Sequence, residues 1–424
     1  MLFEAQTNAE TETASDFEGI AHALNYRRGR LTTRWQAMDL RSVLQPVYSV
    51  RHQRPIGCEA LIRGSGDGGE DIPPWRIFAT TSSSDALHLD RRCTALHCRN
   101  FAAIAGSDTW LFLNLHPAEF IQKAWDDGFF RALLAATRLD PAQIVFEILE
   151  APIPDHVALG DAIGHLRQLG ALVAIDDFGA GHSNFERIWR LKPDIVKIDR
   201  SLLLYAEKDP IMRRSFVSIV EILHQNRCLV VAEGIETEAQ ALLAIDANVD
   251  LVQGYYFSRP FEITDALGET AVDWRRLEAT LKARDGEGSA AYKRPFLAHI
   301  ARLQEVAAAV AKGADFMSAA RFLFDFDDVL RCYAIDGDGR QRQANLPSPR
   351  IARTADPRLA PLAGAEGASW YHRPYFRRAK GSPGEVQVSR EYLSCTDALL
   401  CTTLSIAIDT PAGQKVLCCD LLAE

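Results

Sequence analysis

Between residues 43 and 260 short runs rich in Val, Ile and Leu recur, and nearly every one carries a carboxylate, an amide or a lysine at or near its end. The runs cover 43–50, 56–62, 110–115, 144–148, 172–175, 195–198, 228–232 and 251–252, with helix-like stretches between them. Apolar runs this short, bounded by turns and helices, read as strands buried on both faces. Eight of them in this rhythm predict an α/β fold, a (β/α)8 TIM-type barrel of about 250 residues.

In such a barrel the reacting groups gather where the strands end, so residues scattered along the chain converge on one face. The groups so placed are Glu59, Asn114, Glu147, Asp176, Asp177, Lys197, Glu233 and Gln253. Any one of these carboxylates alone reads more readily as a helix cap or a surface charge than as a site residue. Together in one cavity they stay ionised only if cations offset their repulsion. Oxygen ligands with one amide and no thiolate or imidazole favour Mg²⁺ or Mn²⁺ over Zn²⁺. The adjacent Asp176 and Asp177, followed by Phe178-Gly179-Ala180-Gly181, suit a two-metal site of the kind that hydrolyses phosphodiesters. Lys197, between Val196 and Ile198, needs a carboxylate partner or a functional role to stand in so apolar a run.

Composition narrows the partners. A formal charge of -9 over 424 residues supplies no broad basic field for duplex nucleic acid, and an acidic chain serving an anionic substrate needs cations to mediate. The nine cysteines form no Cys-x-x-Cys pair, and an odd count argues against a complete disulfide framework, so a reducing cytoplasm is expected. The first residues are polar and acidic, unlike a signal peptide, and no apolar stretch approaches the roughly 18 residues of a membrane span.

Four regions are expected. Residues 1–32 form an N-terminal extension that ends in the basic cluster Arg27, Arg28 and Arg30 and reads as a solvated arm. The barrel occupies 33–262, and a helical connector at 263–295 breaks at Gly286-Glu287-Gly288-Ser289. Residues 296–424 open with a helix over 296–312, with Leu297, Ile300, Leu303 and Val306 on one face. Strand-like segments follow at 329–335, 386–392, 402–408 and 415–421, with a turn at Asp336-Gly337-Asp338-Gly339, which implies a smaller α+β domain.

Over 34–260 the sequence resembles the EAL family of cyclic di-GMP phosphodiesterases. The motifs are Glu59-Ala60-Leu61-Ile62-Arg63, Gln45-Pro46-Val47, the stretch from Asn114 to Pro117, Glu147-Ile148-Leu149-Glu150, Asp176-Asp177-Phe178-Gly179-Ala180-Gly181, Lys197-Ile198-Asp199, Glu233-Gly234-Ile235-Glu236-Thr237 and Gln253-Gly254-Tyr255. The resemblance implies a modified TIM barrel that hydrolyses cyclic di-GMP to linear 5'-pGpG. It implies Glu59, Asn114, Glu147, Asp176 and Glu233 as ligands of one metal, with Asp176 and Asp177 reaching a second and Glu236 assisting through water. Lys197 would hold the attacking water and Gln253 orient the same region, while Gln45, Leu61 and Arg63 would bind substrate. Glu150 would steady the loop after the paired aspartates through Ser183, and relatives make a homodimer the default assembly. The chain departs from the family pattern at Gly64, where a tryptophan is usual, and at His116, Leu149 and His182. None of these removes a metal ligand. A catalytically silent cyclic di-GMP receptor is the alternative function.

The segment Trp370-Tyr371-His372-Arg373-Pro374-Tyr375-Phe376 and the strands after it resemble PAS-like sensor domains of the Cache type. That resemblance makes Arg373, Tyr375 and Arg390 candidates for a small-ligand pocket in a regulatory domain; an aromatic core with surface arginines is the other reading. Cys395, Cys401, Cys418 and Cys419 read as buried small hydrophobes or as a redox or metal cluster.

Overall fold

The computed structural model describes residues 17–423 apart from 80, 83–84, 107, 116–126, 150–155, 182–184, 264–271, 283–294, 351–356, 363, 395 and 398. Twelve strands make the first sheet: β1 (Leu24–Arg27), β2 (Arg30–Trp35), β3 (Met38–Ser49), β4 (Arg54–Ser65), β5 (Asp71–Ile72), β6 (Trp110–Leu115), β7 (Ile144–Leu149), β8 (Leu172–Phe178), β9 (Ile195–Ile198), β10 (Leu229–Ala232), β11 (Leu251–Val252) and β12 (Phe261–Glu262). The order β3-β11-β10-β9-β8-β7-β6-β4, closed by the β3–β4 pairing, is a barrel of eight strands. Each of the eight apolar runs became one of them. Parallel pairing links β4, β6, β7 and β8, and also β10 with β11. β3 runs antiparallel to β11, so one strand of the barrel is reversed.

The second half of the expected N-terminal arm is instead a hairpin. Arg28 and Gly29 both take positive φ (51° and 83°), the pair of conformations a two-residue hairpin turn requires. β1 and β2 pair antiparallel from Leu24↔Thr33 to Arg27↔Arg30, and β2 continues the sheet onto β3. Leu24 and Leu31 pack on a core of Trp35, Met38, Leu40, Ile62 and Leu89, which is what holds the hairpin to the sheet.

The chain divides into two compact units: Met1–Val47 with Pro55–Lys197 and Ser258–Thr270, and Tyr48–Arg54 with Ile198–Phe257 and Ala271–Glu424. In the first, the interior is apolar and aromatic; Phe130 meets Phe129 and Phe146 edge to face, both with centroids 5.2 Å apart.

The second unit contains a six-stranded sheet built from β13 (Val329–Asp336), β14 (Leu346–Pro347), β15 (Gln387–Val388), β16 (Tyr392–Leu393), β17 (Leu400–Thr410) and β18 (Gly413–Leu422). One face packs on the helix Leu297–Ala311 through Leu303, Val306 and Val310, and the other on Trp370, Tyr375 and Phe376. Here the single strand expected over 386–392 is broken. β15 and β16 both pair with β17, but the register slips by one residue between Val388↔Leu404 and Tyr392↔Cys401. Residues 389–391 thus number one more than 402–403 opposite them, the count of a bulge, and Arg390 in that stretch pairs with Glu221 at 2.5 Å.

Candidate active site

β4, β6, β7, β8 and β9 of the first unit each bring a polar group to the site, β8 two in succession. On β4, Glu59, Leu61 and Arg63 alternate with the buried Cys58, Ala60 and Ile62, so the three share a face. Parallel pairing sets Asn114 of β6 opposite Glu147 of β7, and Leu149 of β7 opposite Asp176 of β8. Lys197 of β9 stands at the focus: its Nζ lies 2.5 Å from Glu147 Oε1, 3.1 Å from Asp176 Oδ1 and 3.5 Å from Glu59 Oε2. Asn114 donates to Glu59 Oε1 at 3.2 Å. Residues up to 138 positions apart therefore share one cluster.

Three carboxylates face one ammonium. Burying surplus negative charge is costly unless a further cation joins it, and every ligand atom on offer is a hard oxygen. The donor set therefore fits a divalent cation.

Asp177 follows with φ of 58°, a left-handed conformation that aspartate tolerates better than most residues. It leaves carboxylate oxygens of Asp176 and Asp177 within 4.8 Å of one another. Gly179 and Gly181, at φ of 104° and 128°, carry the chain away.

Gln45 of β3 and Arg63 of β4 are half-buried, and Arg63 donates to the Ile62 carbonyl. Gly64, the position where the family's tryptophan is usual, pairs with Ile72 of β5. A Cβ at Gly64 would lie 3.2 Å from both Ile72 Cβ and Ile77 Cδ1, so any side chain there requires these two to give by a few tenths of an ångström.

In the second unit Glu233 follows β10, its amide donating to the Ile198 carbonyl. Gln253 follows β11: its amide donates to Ala232 and its carbonyl accepts from Ile235. Gly254 lies so close to the Ile235 backbone that a Cβ would come within 2.1 Å of its carbonyl oxygen. Glu236 is held bidentately by Arg200, at 2.7 and 2.6 Å. Sequence reasoning missed Arg200; the available signal was its place directly after Lys197-Ile198-Asp199.

Residues 28–260, more than half of the chain, match the EAL domain family. The chain belongs to the EAL family. It is 27% identical over 226 residues to the cyclic di-GMP phosphodiesterase RocR of Pseudomonas aeruginosa, covering 52% of this chain and 57% of that protein. To the cyclic di-GMP phosphodiesterase PdeF of Escherichia coli it is 30% identical over 232 residues, 53% of this chain and 30% of that one. The EAL chain thus spans little more than half the length of RocR and less than a third of PdeF. Its fold is similar to that of the Bacillus subtilis YkuI protein, which has an EAL domain and was solved with c-di-GMP and calcium; the likeness covers 91% of this chain and 96% of that one, at 22% identity and a TM-score of 0.51.

Of the EAL residues expected from sequence, Glu150 and Ser183 lie outside the described residues, as do His116, His182 and Cys395. Cys401, Cys418 and Cys419 are buried, and burial pushes the Cys401 and Cys418 thiols up. No helix among the described residues is long and apolar enough to cross a membrane.

Proposed function

We propose that the chain is a metal-dependent phosphodiesterase that hydrolyses cyclic di-GMP to linear 5'-pGpG, with Mg²⁺ or Mn²⁺ as its two-metal cofactor. The observation that carries this reading is the contact of Lys197 with Glu59, Glu147 and Asp176, a buried cluster with more negative than positive charge. Such a cluster is costly to a fold unless it serves chemistry.

Glu59, Asn114, Glu147, Asp176, Asp177 and Glu233 would hold the metal. When bound, divalent cations lower the pKa of water and neutralise phosphodiester charge. Lys197 Nζ donates to the carboxylates and keeps their oxygens trained on one point; the same ammonium can donate to the attacking water. Arg63 would pair with a substrate phosphate, Gln45 would meet the guanine side of the pocket, and Leu61 would contact substrate as well. Gln253 would orient the attacking region. Glu236, held by Arg200, would act through water, and Glu150 with Ser183 would order the loop after Asp177. Hydrolysis forms a P–O bond from water and breaks one P–O3' bond, leaving the proton on the departing 3'-oxygen.

In this reading residues 33–262 are the catalytic region, 1–32 an extension, 263–295 a connector and 296–424 a PAS/Cache-like regulatory region. A cavity of about 200 Å³ in the second unit, lined among others by Arg373, Tyr375, Arg390 and Tyr392, supports a small-ligand site there. The assembly is a homodimer and the location cytoplasmic. The competing reading is a silent cyclic di-GMP receptor. Purified protein incubated with cyclic di-GMP and either metal separates them: pGpG release supports the enzyme, and tight binding without turnover supports the receptor.

A further inference from the structure

Within the second unit, the loop between the helix Glu238–Asp246 and β11 is gripped by side chains from near the other end of the chain. Arg373, with 2% of its side chain exposed, donates to Asn248 Oδ1 at 2.6 Å and lies 3.6 Å from Asp250 Oδ1. Its guanidinium also stacks over the Tyr392 ring, 4.6 Å from the centroid. One turn further along the helix Pro374–Gly381, Arg377 donates to Asp246 Oδ1 at 2.6 Å. Two cations thus meet the C-terminal end of the helix Glu238–Asp246, where its carbonyls concentrate negative charge. Asn248 takes the left-handed conformation, φ of 71°, that ends such a helix.

Asp250 is fully buried and accepts from His224 Nε2 at 2.8 Å and from the Val230 amide at 3.0 Å. Burial pushes its carboxyl up, but His224, Arg373 and the Val230 amide together outweigh that and hold it below the ordinary value. Three residues on stands Gln253, whose carbonyl accepts from Ile235. The Tyr256 amide in turn donates to Ile235. Glu233 and Glu236 flank Ile235 on that same short loop. From Arg373 one hydrogen bond leads to Asn248 and an ion pair to Asp250, the chain runs three residues on to Gln253, and the Gln253 carbonyl joins Ile235 between the ends of β10 and β11.

We propose that Arg373 is a positioning residue for the active site: through Asn248 and Asp250 it fixes Gln253, and through Gln253 the loop bearing Glu233 and Glu236. This rests on the reading of those three residues as site groups. The C-terminal region then contributes to the geometry of the reacting face, in addition to any ligand it binds.

The test uses the full chain and the variants Arg373→Ala, Arg373→Lys and Asn248→Ala, with the exposed Arg342→Ala as control. Amide exchange over 232–237 and 248–257 should quicken about tenfold in Arg373→Ala, with 144–149 unchanged. Mn²⁺ binding followed by electron paramagnetic resonance should weaken, and kcat should fall about tenfold or more while KM for cyclic di-GMP shifts less. Arg373→Lys, which keeps the charge but not the fork, should recover part of both losses. Unchanged exchange in those two segments, or quickening spread evenly over the whole chain, overturns the proposal. If Arg373→Ala does not fold, Asn248→Ala decides by the same exchange criterion. If the wild-type chain shows no turnover, the phosphodiesterase reading fails, and the exchange and Mn²⁺ measurements still decide the role of Arg373.

Discussion

Lys197 Nζ lies 2.5 Å from Glu147 Oε1, and neither side chain exposes more than 1% of its surface. Removing one member of such a pair strands the other in a medium that cannot solvate it, at a cost of about 3–5 kcal/mol. Lys197→Met should therefore lower stability by that amount in urea denaturation and abolish turnover. Adding Glu147→Gln to it should return part of the stability and none of the activity. A Lys197→Met chain as stable as wild type would show that the carboxylates are not held as charged partners.

The same charge imbalance predicts the response to metal. A ligand that binds only the folded state at about a hundred times its dissociation constant adds about 2.7 kcal/mol. Mg²⁺ or Mn²⁺ should raise the melting temperature, a chelator should reverse the gain and stop pGpG release, and Asp176→Asn should blunt both effects. Equal melting temperatures with and without metal would count against the cluster as a metal centre.

Gly64 makes a third case. With Ile72 Cβ and Ile77 Cδ1 both 3.2 Å from where its Cβ would stand, overpacking at this position should cost about 1–3 kcal/mol. Restoring the family's usual residue with Gly64→Trp should then destabilise the chain and leave KM no better. A lower KM at unchanged stability would mean that Ile72 and Ile77 yield easily and that the glycine is simply a lost substrate contact.

These cases mark what the sequence could and could not reveal. Lys197 was legible because a charge inside Ile-Val-Lys-Ile contradicts its own surroundings, and the carboxylates because they recur at the ends of apolar runs. Gly64 was visible as a departure from the family pattern, but nothing local announces that Ile72 and Ile77 come back to stand beside it. The β1–β2 hairpin was hidden because Arg27, Arg28 and Arg30 have the composition of a solvated arm, while the Arg28-Gly29 turn folds that charge into a paired ribbon. The link from Arg373 to Asp250 spans more than a hundred residues, and neither position breaks a local pattern. Periodicity and local contradiction are visible in a sequence; partners brought together by the fold are not.

The second sheet predicts how the protein responds to alkali. Tyr333 Oη lies 2.8 Å from Tyr375 Oη and donates to Asp420 Oδ1 at 3.2 Å, while Tyr392 Oη is 2.7 Å from Thr403 Oγ1, which donates to the same carboxylate. Burial, reinforced by Asp420, pushes the Tyr333 and Tyr392 phenols well above their ordinary value of 10.0, and burial does the same to Tyr375. In the unfolded chain these phenols release protons near 10, while in the folded chain they still hold them. The unfolded state then binds fewer protons, so stability falls as pH rises, by about 1.4 kcal/mol per unit for each phenol. Below about pH 9 the three should contribute no slope. The buried Cys401 and Cys418 thiols, pushed up from 9.0, act with the same sign and begin first. Urea midpoints measured from pH 8 to 11 should therefore start to fall near pH 9 and fall more steeply above 10, and Tyr333→Phe should make that steeper part shallower by removing one titrating group. A chain that loses no stability between pH 9 and 11 would require these phenols to ionise as readily in the folded sheet as in water, which the Asp420 carboxylate beside them opposes.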